Sequence, residues 1–378
     1  MRGGWRALSR HVSHPADEAA DDRTFPALSV LDLVPVRGDQ TSGDAIAATL
    51  ALARTADRLG YRRYWLAEHH NMPAVAATNP PVLVALVAGA TERIRVGSGG
   101  VMLPNHAPLV VAEQFALLEA AHPGRIDLGL GRAPGTDPVT RYALRHGAGG
   151  VDDDAVNRFP EYVDNIVAMM DTAGVGLDVG GRVHELRATP RATSRPPVWL
   201  LGSSDYSARL AAAKGLPYVF AHHFSGQGTA EALALYRDQF RPSPELAEPR
   251  TFLTVNAAVA ETAGEAERLA LPQLHAMVAL RTGGPLRPQL LVEEAEAVSL
   301  PPEHQGLLDA MRRRWVIGDP ETAAAEVARL AATYRVDEVM VHPVAGAYDE
   351  EPVRRSRSRE NSLSLLAGAV HAGARARA

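Results

Sequence analysis

The chain has 378 residues, 46% of them hydrophobic and 22% charged, and its 39 basic and 44 acidic groups leave a formal charge of −5. No basic field is available for nucleic acid or for an anionic membrane surface, so small-molecule partners are expected. Cysteine is absent, which excludes disulfides, thiolate metal sites and cysteine nucleophiles together and fits a reducing, cytoplasmic setting.

Residues 1–25 carry arginines and acids but no continuous apolar stretch, and they read as a disordered N-terminal extension rather than a leader. No apolar run approaches the roughly 20 residues that span a bilayer, so no membrane association is expected. A single domain is expected over 26–372, with 373–378 as a flexible tail.

The segment "LSVLDLVPV" (28–36) is a strand pattern, followed by a helical stretch from Asp44 to Leu59 that stops at Gly60. Further strands start near residues 62, 93 and 125, in "RRYWLAEH", "RIRVGSGGVML" and "RIDLGLGRA". Between them lie the helical stretches "PPVLVALVAGATE" and "PLVVAEQFALLEAAHPG". That spacing is the size of a repeating βα unit. Four more strand patterns follow at 196–204, 216–224, 251–260 and 336–344. Several are continuous apolar runs, as expected of parallel strands covered on both faces. Eight alternating units predict an α/β fold, a TIM (β/α)8 barrel with insertions at roughly 133–157, 172–195 and 262–335. The competing doubly wound sheet would need a G-x-G-x-x-G turn after a strand, and "GLGRAPG" has the wrong spacing.

A barrel collects function at the C-terminal ends of its strands, and the unusual residues fall there. Strand 2 ends in Glu68, His69, His70 and Asn71, and strand 3 in Gly97, Ser98, Gly99 and Gly100. Strand 4 ends in Gly131 and Arg132, strand 5 in Gly202, Ser203 and Ser204, strand 6 in His222 and His223, and strand 8 in His342. Glycines at strand ends admit a flat ligand or form bulges. "LLGSSDYSARL" joins a strand to a helix, so Ser203, Ser204 and the helix N–H groups form an anion site, or else Ser204 or Asp205 caps the helix. Arg132 suits a phosphate there, its alternative being an ion pair with a rim carboxylate. His69 and His70 are neighbours that diverge on a strand, so at most one enters the site. Adjacent histidines also lack the H-x-H spacing of barrel metal sites, and no metal is expected from His69, His70, His106, His222, His223 and His342.

Taken together, "YRRYWLAEHHN", "RIRVGSGGVMLPNHAPLVVAEQFALLEAAHPGRIDLGLGRAPGTD" and "VWLLGSS" strongly resemble the bacterial-luciferase-like family of flavin-dependent monooxygenases, over about residues 28–370. The resemblance implies a TIM barrel that binds reduced FMN supplied by a separate flavin reductase. It implies reaction with O2 to a C4a-peroxyflavin and oxidation of a small organic substrate, in a setting such as secondary metabolism. His69 matches the family's catalytic histidine, with His70 structural. Gly99 and Gly100 occupy the place of a cis peptide against the isoalloxazine. Gly131, Arg132, Gly202, Ser203, Ser204 and Tyr206 match cofactor-binding positions, Tyr206 through its backbone N–H, and Arg158 matches a second phosphate arginine. Gly131 replaces a cysteine and His222 a tryptophan of luciferase itself, which implies a more polar substrate side with His222, His223 and His342 as candidates. Two alternatives stay open: relatives that use the deazaflavin F420 to move hydride, and non-catalytic flavin-binding proteins. A homodimer through the first helices is also implied. The stretch 281–308 is expected to be either a mobile lid over the site or a surface excursion.

Overall fold

Eight parallel strands close into a barrel in the computed structural model, which describes residues 5–7, 25–133, 135, 138–145, 154–171 and 174–377. They are β1 (Ala27–Asp32), β2 (Arg63–Leu66), β3 (Arg95–Ser98), β4 (Ile126–Gly131), β5 (Val198–Gly202), β6 (Tyr218–Phe220), β7 (Thr251–Val259) and β8 (Glu338–Pro343). Each pairs with the next, and β8 returns to β1, as in Met340 opposite Ser29. Around them lie helices α1 (Ser42–Arg58), α2 (Pro80–Ala90), α3 (Pro108–Ala121), α4 (Phe159–Met170), α5 (Asp205–Lys214), α6 (Thr229–Gln239), α7 (Pro320–Tyr334) and α8 (Arg357–Arg377). This is the TIM barrel read from the βα rhythm.

Local chemistry sets the boundaries. Thr41 and Asp44 form a reciprocal cap on α1, and the helix ends before Gly60, whose φ of 80° suits glycine. Prolines open α2, α3 and α7, where their missing N–H has no helical partner in any case. The strand expected over 28–36 stops at Asp32. Its buried carboxylate accepts from Val34 N, Thr49, Tyr64 and Arg359, and the chain turns at Val34 with φ 51°. Val34 and Val36 continue the apolar pattern because the loop itself is buried, tied back through Val36 N to Ala74 O.

The insertions carry structure of their own. Strands Val175–Val179 and Arg182–Leu186 pair antiparallel, and Trp5–Ala7 adds to the first of them. Part of the stretch expected to be a disordered extension is thus an edge strand, while 1–4 and 8–24 lie outside the described residues. Of the insertion at 133–157, residues 134, 136–137 and 146–153 lie outside them too, and the rest includes short helices at 138–145 and 154–157. The third insertion contains helices Ala263–Thr282, Val292–Ala297 and Pro302–Arg312, then a strand Val316–Gly318 beside β7.

Side chains two apart on the strands fill the barrel in storeys. On the floor, the buried Arg63 guanidinium bonds Glu338 Oε1 and Asp127 Oδ2, each at 2.9 Å, and Ser29 adds a bond to Glu338. Above it, Trp65, Trp199 and Phe252 meet edge to face or tilted at 5.1–5.6 Å, with Leu31, Val219 and Met340. Room for these rings comes from glycine: a Cβ on Gly97 would stand 2.8 Å from Trp65 Nε1, and one on Gly129 would stand 2.1 Å from Ser98 O. Burial works against ionising Asp127, but Arg95 and Arg63 hold its pKa down at about 2.

Replacing Arg63 with Ala would leave two buried carboxylates without their shared partner. The expected cost is about 3–5 kcal/mol in urea unfolding, with the far-UV spectrum retained. A loss under about 1 kcal/mol would show that the floor does not depend on this charge.

Candidate functional site

At the opposite end of the barrel from Arg63, the strand termini gather imidazoles. His223 follows β6 and His342 lies on β8, and their rings stand 6.3 Å apart edge to face. His69, from the segment after β2, is close enough for its charge to act on both. Burial is the main force lowering His223, to about 4, with His222 and His69 adding to it. Burial, then His223 and Arg359, keep His342 well below its ordinary value. His69 is lowered by burial against the opposing charge of Glu68. Its backbone N–H is held by Ala77 O at 2.7 Å, and its ring hydrogen-bonds to none of the described residues. A neutral imidazole with both nitrogens uncommitted can take up or deliver a proton.

Why His69 rather than His70 faces the mouth follows from Glu68. This carboxylate is 2% exposed. Its Oε1 accepts from His70 Nε2 at 2.8 Å and His106 Nε2 at 2.7 Å, and its Oε2 from Met102 N at 2.8 Å. Burial alone would raise Glu68, but the His106 and His70 bonds prevail and hold it at about 2. His70 is thereby tied to the wall, and the loops after β2 and β3 are clamped together.

A second region lies where β4 and β5 end. The Arg132 guanidinium sits 4.1 Å above the Tyr206 ring, joining β4 to the first turn of α5. Ser204 stands at the N-cap of α5, yet its side chain makes no capping bond, and Asp205 pairs with Arg209 instead. The capping alternative is therefore not the geometry found, nor does Arg132 pair with a carboxylate among the described residues. Ser203 and Ser204 are exposed beside the free first-turn N–H groups. Gly202 answers to packing, since a Cβ there would stand 2.3 Å from Ser207 Oγ.

The other glycines divide in the same way. The Gly99–Gly100 peptide is cis. Side chains there would meet Leu31 Cδ1 at 2.7 Å and the Gly129 backbone at 2.8 Å, so internal packing already demands glycine. Gly131 is different: among the described residues an added Cβ would touch only Val101 O, at 3.7 Å. Open space at that strand end suits a bound group.

Two expected residues stand apart. His222 turns away from the mouth, with its Nδ1 2.8 Å from Thr229 Oγ1 on α6 and its ring 5.3 Å from Tyr334 on α7. Neighbouring residues diverge, and His223 took the inward side. Arg158 precedes α4, bonds Glu161 and lies 5.2 Å from the Tyr162 ring. Its visible partners are local. Glu68, His106, Thr254 and Asn256 were not assigned roles from sequence; only the Glu68–His69 adjacency hinted at one.

The stretch 281–308 crosses this end of the molecule. Arg281 stacks on Phe224 and bonds its carbonyl, while Gln289 N bonds Val36 O at 2.7 Å. It thus links the rim after β6 to the rim after β1. Among the described residues, no His, Asp and Glu cluster could hold a metal ion, and no helix is long and apolar enough to cross a membrane.

Comparison with known proteins agrees with the barrel fold. The sequence model of a family described as "Luciferase-like monooxygenase" matches residues 27–337. A luciferase-like monooxygenase of Escherichia coli K12 is 41% identical over 324 residues, covering 85% of this chain and 92% of the relative. An N-acetyl-S-alkylcysteine monooxygenase of Bacillus subtilis is 32% identical over 349 residues, covering 92% and 99%. The crystal structure of apo-MsnO8 superposes with a TM-score of 0.78 at 33% identity, covering 92% and 98%. The fold also matches the oxygenating constituent of 3,6-diketocamphane monooxygenase from Pseudomonas putida, solved with FMN, at a TM-score of 0.65, 18% identity and 91% and 97% coverage. An F420-dependent secondary alcohol dehydrogenase superposes at 0.61, with 13% identity and 90% and 99% coverage.

The Glu68 clamp gives a pH-dependent expectation. A carboxylate lowered from 4.5 to about 2 adds stability that is fully present above about pH 4.5 and is lost as pH falls toward about 2. Glu68→Gln should cost about 1–3 kcal/mol at pH 7, with the difference from wild type shrinking on acidification below pH 4.5. A pH-independent difference would mean that the charge is not what clamps the loops.

Proposed function

The chain belongs to the luciferase-like monooxygenase family, and from that premise we propose that it oxidises a small organic substrate with reduced FMN and O2 at the mouth of the barrel, His69 handling the proton. The observation that carries this reading is the His69 ring, half-buried, shifted toward its neutral form and uncommitted, at the same end of the barrel as an uncapped helix N-terminus and Arg132. Reduced FMN, when bound, supplies the electrons that activate O2. Arg132 and the first-turn N–H groups of α5, Tyr206 among them, hold its phosphate, with Ser203 and Ser204 as hydroxyl partners. Gly131 leaves one strand end open for it, and Gly99 and Gly100 line the adjoining wall. Arg158, bonded to Glu161, would serve as a second cation for the phosphate. The stretch 281–308 excludes water as a lid. A separate flavin reductase provides the reduced cofactor, and the reaction is cytoplasmic.

F420 is the second cofactor to test, because a protein of this fold is named for it. Anaerobic titration with reduced FMN and, in parallel, reduced F420, followed by mixing with O2 and a panel of small thioethers and ketones, separates the readings. FMN binding with O2 consumption and an oxygenated product is expected, and His69→Ala should keep FMN affinity while lowering product formation by about 10². Binding of F420 without O2 consumption would replace oxygenation with hydride transfer.

Assembly as a homodimer is part of the proposal. What supports it is the apolar outer face of α2 and α3, where Val82, Leu86, Val110 and Leu117 are 43–57% exposed. Leu86→Arg with Leu117→Arg should convert a dimer to a monomer in sedimentation velocity. A monomeric wild type at micromolar concentration would refute this interface.

A further inference from the structure

One buried amide and one buried hydroxyl bear on which way the mouth's imidazoles present themselves. Asn256 Nδ2 donates to His223 O at 2.7 Å. A carbonyl can only accept, so the NH2 side of this amide faces His223 and the oxygen faces the other way. That oxygen stands 2.9 Å from His342 Nδ1, which must therefore carry the proton. For His223 the partner is a hydroxyl: Thr254 Oγ1 stands 3.1 Å from Phe220 O and 2.9 Å from His223 Nδ1. With its hydrogen on Phe220 O it accepts from Nδ1, and in that arrangement both rings carry their proton on Nδ1.

The consequence lies at the other nitrogen. Neither His223 Nε2 nor His342 Nε2 has a partner among the described residues, and neither is among the fully enclosed polar atoms. Asn256 and Thr254 are 4% and 3% exposed, so water does not compete for them. We propose that the Nε2 lone pairs of His223 and His342 form a paired acceptor subsite that selects neutral substrates bearing a hydroxyl or N–H donor and turns away carboxylates. This deepens the oxidation proposed above and rests on it only in naming the mouth as the substrate's end. Burial keeps both rings neutral at pH 7, so no imidazolium is offered to an anion. A donor left without these acceptors, or an acceptor left without a donor, loses a hydrogen bond in a poorly hydrated site.

Long-range 1H–15N spectra of histidine-labelled protein at pH 7 read the tautomers directly, with His223→Gln and His342→Gln providing assignments. Both rings should appear neutral with Nδ1 protonated; an imidazolium or an Nε2-protonated ring at either position would overturn the proposal. Phenol and acetanilide are then titrated against anisole, N-methylacetanilide and benzoate. The two donors should shift the Nε2 resonances and bind about tenfold more tightly than their methylated analogues, and benzoate should not bind. Phenol alone succeeding would assign the subsite to hydroxyls, acetanilide alone to N–H groups. Equal binding of methylated and unmethylated probes, or preferred binding of benzoate, would overturn the selection even with the tautomers as stated. Asn256→Asp should stabilise a His342 imidazolium and shift preference toward benzoate; if that variant misfolds, Thr254→Val tests the His223 half by releasing its tautomer. None of these tubes contains flavin, so failure here is separable from failure of the FMN and O2 reading.

Discussion

One buried guanidinium closes the barrel from below, and the polarity of everything above it follows. Arg63 comes from β2 and is satisfied by Asp127 on β4 and Glu338 on β8, so a single cation ties three strands that are far apart in sequence. Trp65 Nε1 also donates to Asp127, at 3.0 Å, and this bond fastens the aromatic storey to the floor. With charge sealed below and indole and phenyl rings packed above it, no ligand can enter from that side. Chemistry is left to the C-terminal mouth, where strands end and side chains lose their packing partners.

The mouth is polar without carrying strong charge. Glu68 is ionised but shared by His70, His106 and Met102 N, and Asp32 is matched by Arg359. What faces the opening is the uncommitted His69 ring together with His223 and His342, each held at Nδ1 by a fixed partner. Groups already oriented by their neighbours need no reorganisation when a ligand arrives. The cation-bearing end, Arg132 over Tyr206, stands apart at the junction of β4, β5 and α5.

Glycine plays two physically different parts in this fold. Gly97, Gly99, Gly100 and Gly129 are demanded by neighbours that would collide with a methyl group, Trp65, Leu31 and adjoining backbone among them. Gly131 has no such neighbour among the described residues. A run of glycines at strand ends is therefore not one signal, and a glycine with open space beside it speaks for a ligand where a crowded one does not.

The βα rhythm was legible from sequence because it is written in local periods: apolar strands of three to nine residues, helices with caps and prolines at their starts, and glycine stops. The divergence of adjacent histidines was legible too, but not which member turns inward. For His69 and His70 the family resemblance supplied the inward choice; for His222 and His223 Thr229 and Tyr334 settled it by drawing His222 outward. Strand ends were overrun at Val34 because a buried loop is as apolar as a strand. From its sequence alone the chain determined an eight-unit barrel, a polar rim and the family to which that rim belongs. Closure of the barrel decided that His69, His223 and His342 share one mouth, and the pairing of neighbouring units decided that Glu68 clamps His106 and that Asn256 orients His342 from 86 positions away. Hydrogen bonds of that separation leave no periodic trace in a sequence; they exist only once the strands that carry them lie side by side.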